Sequence, residues 1–436
     1  MQELGINTIR SYNLDPTLNH DECASIFNSV GIYMILDVNS PLDGDSINRD
    51  DPSSSYNLNY LERIFSVVEA FKDYPNTAAF LSLNEVINDV STGSNNPPYI
   101  RAVIRDLKQY IRAHSSRSIP VGYAAADVRP VLRDTWEYLQ CDNSANDGND
   151  DSRTDFFGLN SYSWCGTDAT FESSTFADLV TLFSNSTVPV FFTEYGCNDP
   201  YPRPFDEVTT VHGPKMTVMS GGLVYQWHQD EINYGLVQPY ANGSLQILED
   251  YGTLASKYAQ LDYDLLTTAN ETATNLTPPV CSSDLITSDG FNNDFDLPAQ
   301  PDGASSLISA GVSGISTGSV VIVTQTSVQA PVYATNGARI TDLTIRAVSS
   351  ANAADGDGLA TGAVPTSTSG AGASQSSEGG GAETTETSGS EGGSGGDNGA
   401  DDEGGASEST STDGAFRAAR TGMPLVVAVG AGLFAL

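Results

Sequence analysis

Positive charge is scarce in this sequence. The 436-residue chain carries 19 Lys and Arg against 55 Asp and Glu, a formal net charge of −36, and no basic run. Phosphate binding needs clustered cations, so nucleic acid is excluded as a partner. The four histidines hint at no metal site, and no cofactor is called for. The amino terminus lacks a secretion signal: Met1-Gln2-Glu3-Leu4 has neither a basic start nor an apolar stretch. The apolar carboxyl-terminal run Met423–Leu436, 14 residues, is too short for a comfortable membrane span.

A hydrophobic content of 39% supports a real core and excludes wholesale disorder. The acidic balance suits an extracellular medium and a neutral partner such as a glycan. Five cysteines, Cys23, Cys141, Cys165, Cys197 and Cys281, leave one unpaired. Sequons at Asn185, Asn242, Asn270 and Asn275 join them in favouring the secretory route.

Composition divides the chain into four parts. Residues 1–262 read as a folded domain and 263–348 as a small β-rich extension, with strands expected at Ser319–Thr324 and Ala338–Arg346. Residues 349–414 are rich in Ser, Gly, Thr and Ala, with 12 acidic residues and no Lys or Arg. Such a segment buries too little apolar surface to offset ordering entropy and reads as a disordered stalk. Residues 415–436 then give a polar spacer and the apolar run. With Asp413 and Gly414 as candidate attachment residues, the order is that of a GPI-attachment signal. A chain addressed in this way should also carry an entry signal, which places its true start upstream of residue 1.

The folded part alternates strands and helices. Strand signals lie at Asn7–Tyr12, Tyr33–Val38, Ala78–Leu83, Ile119–Ala124, Phe156–Asn160, Val188–Thr193 and Gly222–Trp227. Between them, Leu61, Ile64, Phe65 and Val68 share one helical face, as do Ile100, Val103, Ile104, Leu107 and Ile111. The pattern predicts an α/β fold, a (β/α)8 TIM barrel of which seven strands are present. The missing strand is most simply the first.

Two apolar strands end in glutamate: Phe80-Leu81-Ser82-Leu83-Asn84-Glu85 and Val190-Phe191-Phe192-Thr193-Glu194-Tyr195. Polar residues at the carboxyl ends of barrel strands face the active site. Counted in a complete barrel these are strands four and seven, on opposite sides of the mouth. Two carboxyls facing each other at about 5–5.5 Å suit retaining glycoside cleavage, one as acid and one as nucleophile. Asn84 is placed to bond a sugar 2-hydroxyl.

The chain resembles the glycoside hydrolase family 72 β-1,3-glucanosyltransferases of fungal walls. The resemblance runs through Asn7-Thr8-Ile9-Arg10-Ser11-Tyr12, Leu36-Asp37-Val38-Asn39-Ser40-Pro41, Asn84-Glu85-Val86, Tyr162-Ser163-Trp164-Cys165-Gly166 and Pro189–Cys197, and reaches Gly221-Gly222-Leu223-Val224-Tyr225. It implies Glu85 as acid/base and Glu194 as nucleophile, with Tyr12, Asp37, Asn84, Tyr162 and Tyr225 in the substrate cleft. It implies disulfides Cys165–Cys197 and Cys141–Cys281, and a partner for Cys23 upstream of residue 1. The cysteine-rich glucan-binding module of some members is absent, since Cys281 is the last cysteine. The implied activity is transfer of a β-1,3-glucan end from donor to acceptor glucan, by a monomer tethered to the outer leaflet of the plasma membrane. A β-1,3-glucanase, with water as acceptor, would use the same residues. An inactive wall-binding protein is the reading from another class, favoured by the missing strand and opposed by the retained glutamates.

Overall fold

The computed structural model describes residues 1–144, 150–267, 276–348 and, as backbone, 425–429. A second unit, residues 364–413, lies outside them. So do the rest of the expected stalk, Asp413, Gly414 and the sequons at Asn270 and Asn275.

Seven parallel strands follow in chain order: β1 (Thr8–Ser11), β2 (Tyr33–Asp37), β3 (Thr77–Asn84), β4 (Val121–Ala126), β5 (Phe157–Asn160), β6 (Val190–Tyr195) and β7 (Gly221–Tyr225). Each pairs with the next. They are the strands expected from the sequence, with ends moved by two residues at most. The open place in the barrel falls between β7 and β1. Leu425–Val429 lies there, parallel to both neighbours, and closes an eight-stranded barrel. An open sheet would leave two rows of unpaired backbone groups at this gap.

Helices cover the barrel because each has one apolar face. Leu58–Phe71 starts at Asn57, whose side chain accepts from the Tyr60 amide, and buries Leu61, Ile64, Phe65 and Val68 completely. Pro97–His114 opens on proline, which has no amide hydrogen to leave unpaired, and buries Ile100, Val103, Ile104, Leu107 and Ile111. Strands β5 and β6 also approach closely. A Cβ on Gly158 would stand 2.4 Å from Thr193 Cγ2, so this strand end accepts only glycine without a shift.

Among the described residues the extension is not β-rich. Among the described residues its regular elements are the helices Tyr263–Thr267 and Ala304–Ala310, a single turn at Ser283–Leu285 and two-residue strands at Val332–Tyr333 and Arg339–Ile340. Those two strands join Val237–Pro239 and Leu245–Ile247 in a small second sheet. Ser319–Thr324 alternates in sequence but has no neighbouring strand. It runs along the helix Asp21–Ser29, where Ser319 and Val321 amides donate to Asp21 Oδ1 and Ser25 Oγ. Ala338–Arg346 is a strand only at Arg339–Ile340. The extension is a belt. It starts at the Cys141–Cys281 disulfide and bonds Asp134, Asp106, His114 and the Ala70 carbonyl in turn.

Behind β6 lies a buried acid. Glu207 is 4% exposed, and burial pushes its carboxyl up to about 7. An unfolded glutamate titrates near ~4.3. Between these values the folded chain holds a proton that the unfolded chain has lost, so this group's contribution to stability falls as pH rises through the window. Glu207→Gln removes the titration. Its melting temperature relative to the parent should rise between about pH 5 and about pH 8; an offset independent of pH contradicts the assignment.

Candidate active site

The carboxyl ends of five strands, β1–β3 and β5–β6, bring one hydrogen-bonded cluster together across the barrel mouth. Its centre is Arg10 on β1, a residue within a strand that sequence alone assigns no role. Its guanidinium is fully buried. Nε and Nη2 grip Asp37 of β2 at 2.8 and 2.9 Å. Nη2 also donates to Asn84 Oδ1 of β3 at 2.8 Å. Nη1 donates to Glu194 Oε1 of β6 at 3.0 Å, and to Asn160 Oδ1 of β5 and the Thr193 carbonyl, both at 3.3 Å. Burial alone would lower the Arg10 pKa, but Asp37, Tyr12 and Glu194 outweigh it and hold it well above the usual arginine value. The cation is permanent.

Glu194 is almost enclosed, and burial pushes its pKa above the usual carboxylate range. The charge of Glu85 pushes the same way, while Arg10, Tyr12 and Tyr162 pull it down. Tyr12 donates to Oε1 at 2.5 Å and Tyr162 to Oε2 at 2.8 Å. Burial, with the Glu194 charge behind it, keeps both phenols far above their ordinary pKa, so they stay protonated donors. Both carboxylate oxygens are therefore held, and Glu194 is fixed in one orientation.

Glu85 follows β3 with φ of 50°, the left-handed region that non-glycine residues seldom enter. Its amide donates to the Ala124 carbonyl at 2.8 Å, which pins this turn. The side chain is half-buried and accepts from Asn160 Nδ2 at 2.7 Å. One glutamate is thus sunk among donors and the other stands at the cleft.

Of the residues expected in the cleft, Tyr12, Tyr162 and Tyr225 form an aromatic wall. Tyr225 meets Tyr12 and Tyr162 edge-on, at 6.4 and 6.3 Å between centroids. Tyr234, absent from the sequence reading, completes it at 5.4 Å from Tyr225. Asn84 has its oxygen committed to Arg10 and Asn160, which leaves its amide nitrogen for a sugar hydroxyl. Asp37 differs from the expectation of a cleft residue: it is 2% exposed and spends both oxygens on Arg10. Asn160 carries the signal that marks the glutamates, a polar side chain ending an apolar strand, whereas Arg10 lies within its strand and carries no such mark. The disulfide Cys165–Cys197 ties the loops after β5 and β6 beside Tyr162 and Glu194. Cys23 is free, and burial pushes its thiol up to about 11. Asn185 and Asn242 are exposed.

The hydroxyls of Tyr12 and Tyr162 stabilise the ionised form of Glu194. Removing either should raise the pKa of that carboxyl. In Tyr12→Phe and Tyr162→Phe the acidic limb of the kcat/KM profile is expected to move to higher pH by about half a unit to one unit. An unmoved acidic limb in both variants contradicts this role.

The chain matches the glucanosyltransferase family of glycoside hydrolase family 72 over residues 1–262. It is 50% identical to the 1,3-beta-glucanosyltransferase gel2 of Aspergillus fumigatus, over 80% of this chain and 72% of that protein. It is 46% identical to the probable 1,3-beta-glucanosyltransferase GAS3 of Saccharomyces cerevisiae, over 73% of this chain and 62% of that one. Among solved structures it is similar to a mutant of Saccharomyces cerevisiae Gas2p in complex with laminaritetraose and laminaripentaose. That likeness has 35% identity and a TM-score of 0.59, over 69% of this chain and 64% of the other. The barrel, the glutamates ending β3 and β6 and this kinship agree: the chain belongs to the glycoside hydrolase family 72 glucanosyltransferases.

Proposed function

We propose that the protein is a retaining β-1,3-glucan transglycosylase. The observation that carries this reading is a carboxylate held on both oxygens, Glu194, opposite a half-buried carboxyl, Glu85, in a chain of this family. Glu194 attacks the anomeric carbon of a β-1,3-glucan while Glu85 gives its proton to the leaving oxygen. The glycosidic C–O bond breaks, and the new glucan end is held as an ester on Glu194. Glu85, now ionised, takes the proton from a hydroxyl of a second glucan. That oxygen displaces Glu194, which returns as a carboxylate into the donors of Arg10, Tyr12 and Tyr162. Two inversions leave the β configuration unchanged. The tyrosine wall offers flat apolar faces to sugar rings and polar tips to their hydroxyls.

Each of Glu85→Gln and Glu194→Gln should lower turnover of laminari-oligosaccharides at least about 100-fold without loss of the fold. The parent should yield products longer than its substrate, with β linkage throughout. Products that are only shorter, by mass spectrometry, would make water the acceptor and the protein a β-1,3-glucanase.

We further propose that the chain works at the cell surface under a GPI anchor, with Asp413 or Gly414 as the attachment residue. Supporting this are the acidic stalk composition, the spacer and the terminal apolar run. Anchor attachment removes everything beyond the attached residue, including Leu425–Val429, so a strand role for that segment and an anchor exclude each other in one mature chain. Mass spectrometry of protein from its native membrane should find a carboxyl terminus at Asp413 or Gly414 bearing an anchor. A mature chain ending at Leu436 overturns the anchor.

A further inference from the structure

Asn160 ends β5 at the level of both glutamates and is 3% exposed. Its amide makes four bonds. Oδ1 accepts from Thr193 Oγ1 at 2.7 Å and from Arg10 Nη1 at 3.3 Å. Nδ2 donates to Asn84 Oδ1 at 3.0 Å and to Glu85 Oε1 at 2.7 Å. The orientation of this amide is decided by chemistry. Arginine can only donate, so the atom facing Arg10 must be the oxygen. A flipped amide would set N–H against N–H there and oxygen against a carboxyl oxygen at Glu85. Arg10 thus fixes Asn160, and Asn160 presents a hydrogen to one named oxygen of the acid.

We propose that Asn160 is a positioning residue that assigns the transferred proton to Oε2 of Glu85 and favours the ionised form of that carboxyl in the second half-reaction. This deepens the transglycosylase reading and rests on it. An oxygen that accepts an N–H bond from Asn160 is the carbonyl oxygen of the neutral acid, so the O–H sits on the other. In the first step Oε2–H protonates the leaving oxygen, its O–H bond breaking as the glycosidic C–O bond breaks. In the second step the same oxygen takes the proton of the acceptor hydroxyl. Between the steps Oε1 stays bonded to Asn160, so the carboxyl does not rotate. A donor to a carboxylate stabilises the ionised form more than the neutral one.

The other groups around Glu85 do not do this. Arg10 on β1 spends its donors on Asp37, Asn84, Asn160, Glu194 and the Thr193 carbonyl. Asp37 on β2 is neutralised by Arg10. Tyr123 on β4 is buried, with its phenol pushed well up, and its oxygen accepts from the Ile87 amide. Glu194 on β6 is an acceptor held by Arg10, Tyr12 and Tyr162, and offers Glu85 no hydrogen.

The test is the pH dependence of kcat/KM on a laminari-oligosaccharide, with the full chain and with Asn160→Ala and Asn160→Asp. The alkaline limb reports the acid, Glu85, and the acidic limb the nucleophile, Glu194. In Asn160→Ala the alkaline limb is expected to move up by about one unit while the acidic limb moves much less. Asn160→Asp keeps the shape, replaces the donor with an acidic group, and is expected to move the alkaline limb at least as far. The loss of rate should shrink on a donor with a dinitrophenyl leaving group, which needs no proton. An alkaline limb that stays in place in a folded variant, or a loss equal on both donors, overturns the proposal. Failure of both variants to fold assigns Asn160 to structure alone and overturns it too. A parent enzyme that turns over neither donor overturns the transglycosylase reading itself, a distinct result.

Discussion

Everything at the mouth of this barrel depends on one buried cation. A guanidinium removed from water costs several kcal/mol unless its charge and its donors are matched. Arg10 is matched by two carboxylates, two side-chain amides and a backbone carbonyl, drawn from strands β2, β3, β5 and β6. Each of these partners is placed because its strand is in register. The register in turn is enforced, because a slip of one residue would leave Arg10 buried and unpaired. Breaking such a pair from one side costs about 3–5 kcal/mol. The cluster therefore specifies the fold at the same atoms that hold the proposed nucleophile, Glu194.

A second buried arginine does the same for the loops. Arg203 pairs with Asp250 at 2.6 Å, with both side chains fully buried. Its remaining donors reach the carbonyls of Gly196, Tyr225 and Tyr234. These residues follow Glu194, end β7, and carry one ring of the aromatic wall. The wall is thus anchored from behind its backbone, and its rings are left to face the cleft. The Cys165–Cys197 link holds the loop after β5 to the loop after β6, so Tyr162 and Glu194 approach from elements tied together. Rigid support of this kind fits a reaction in which one carboxylate must serve as nucleophile and then as leaving group without moving.

Much of this was legible in the sequence because barrel strands are short apolar runs and their ends are polar. The same logic puts Glu85, Asn84 and Glu194 at the carboxyl ends of strands, where the structure has them. It stopped short at Arg10, since an arginine within a strand reads as a rim or surface residue until its partners are known, and those lie 27 to 184 residues away. The cleft position of Asp37 is what the family resemblance implies. Only the structure shows that both its oxygens belong to Arg10. Tyr234 sits in a loop with no periodic pattern to mark it. The extension misled for a different reason. Alternation at Ser319–Thr324 is a statement about two faces, not about a neighbouring strand, and that segment has a helix beside it instead.

The central claim is that Glu194, oriented by Arg10 and two tyrosines, becomes covalently linked to the glucan. A β-1,3-oligosaccharide donor with a fluorine at C2 and a good leaving group forms such an ester quickly and loses it slowly. Incubation of the protein with this donor, followed by peptide mapping by mass spectrometry, tests the claim directly. The account predicts one added glycosyl group, on the peptide and at the residue of Glu194. A label at Glu85 or Asp37, or turnover of the natural substrate with no adduct from the fluorinated one, would contradict it.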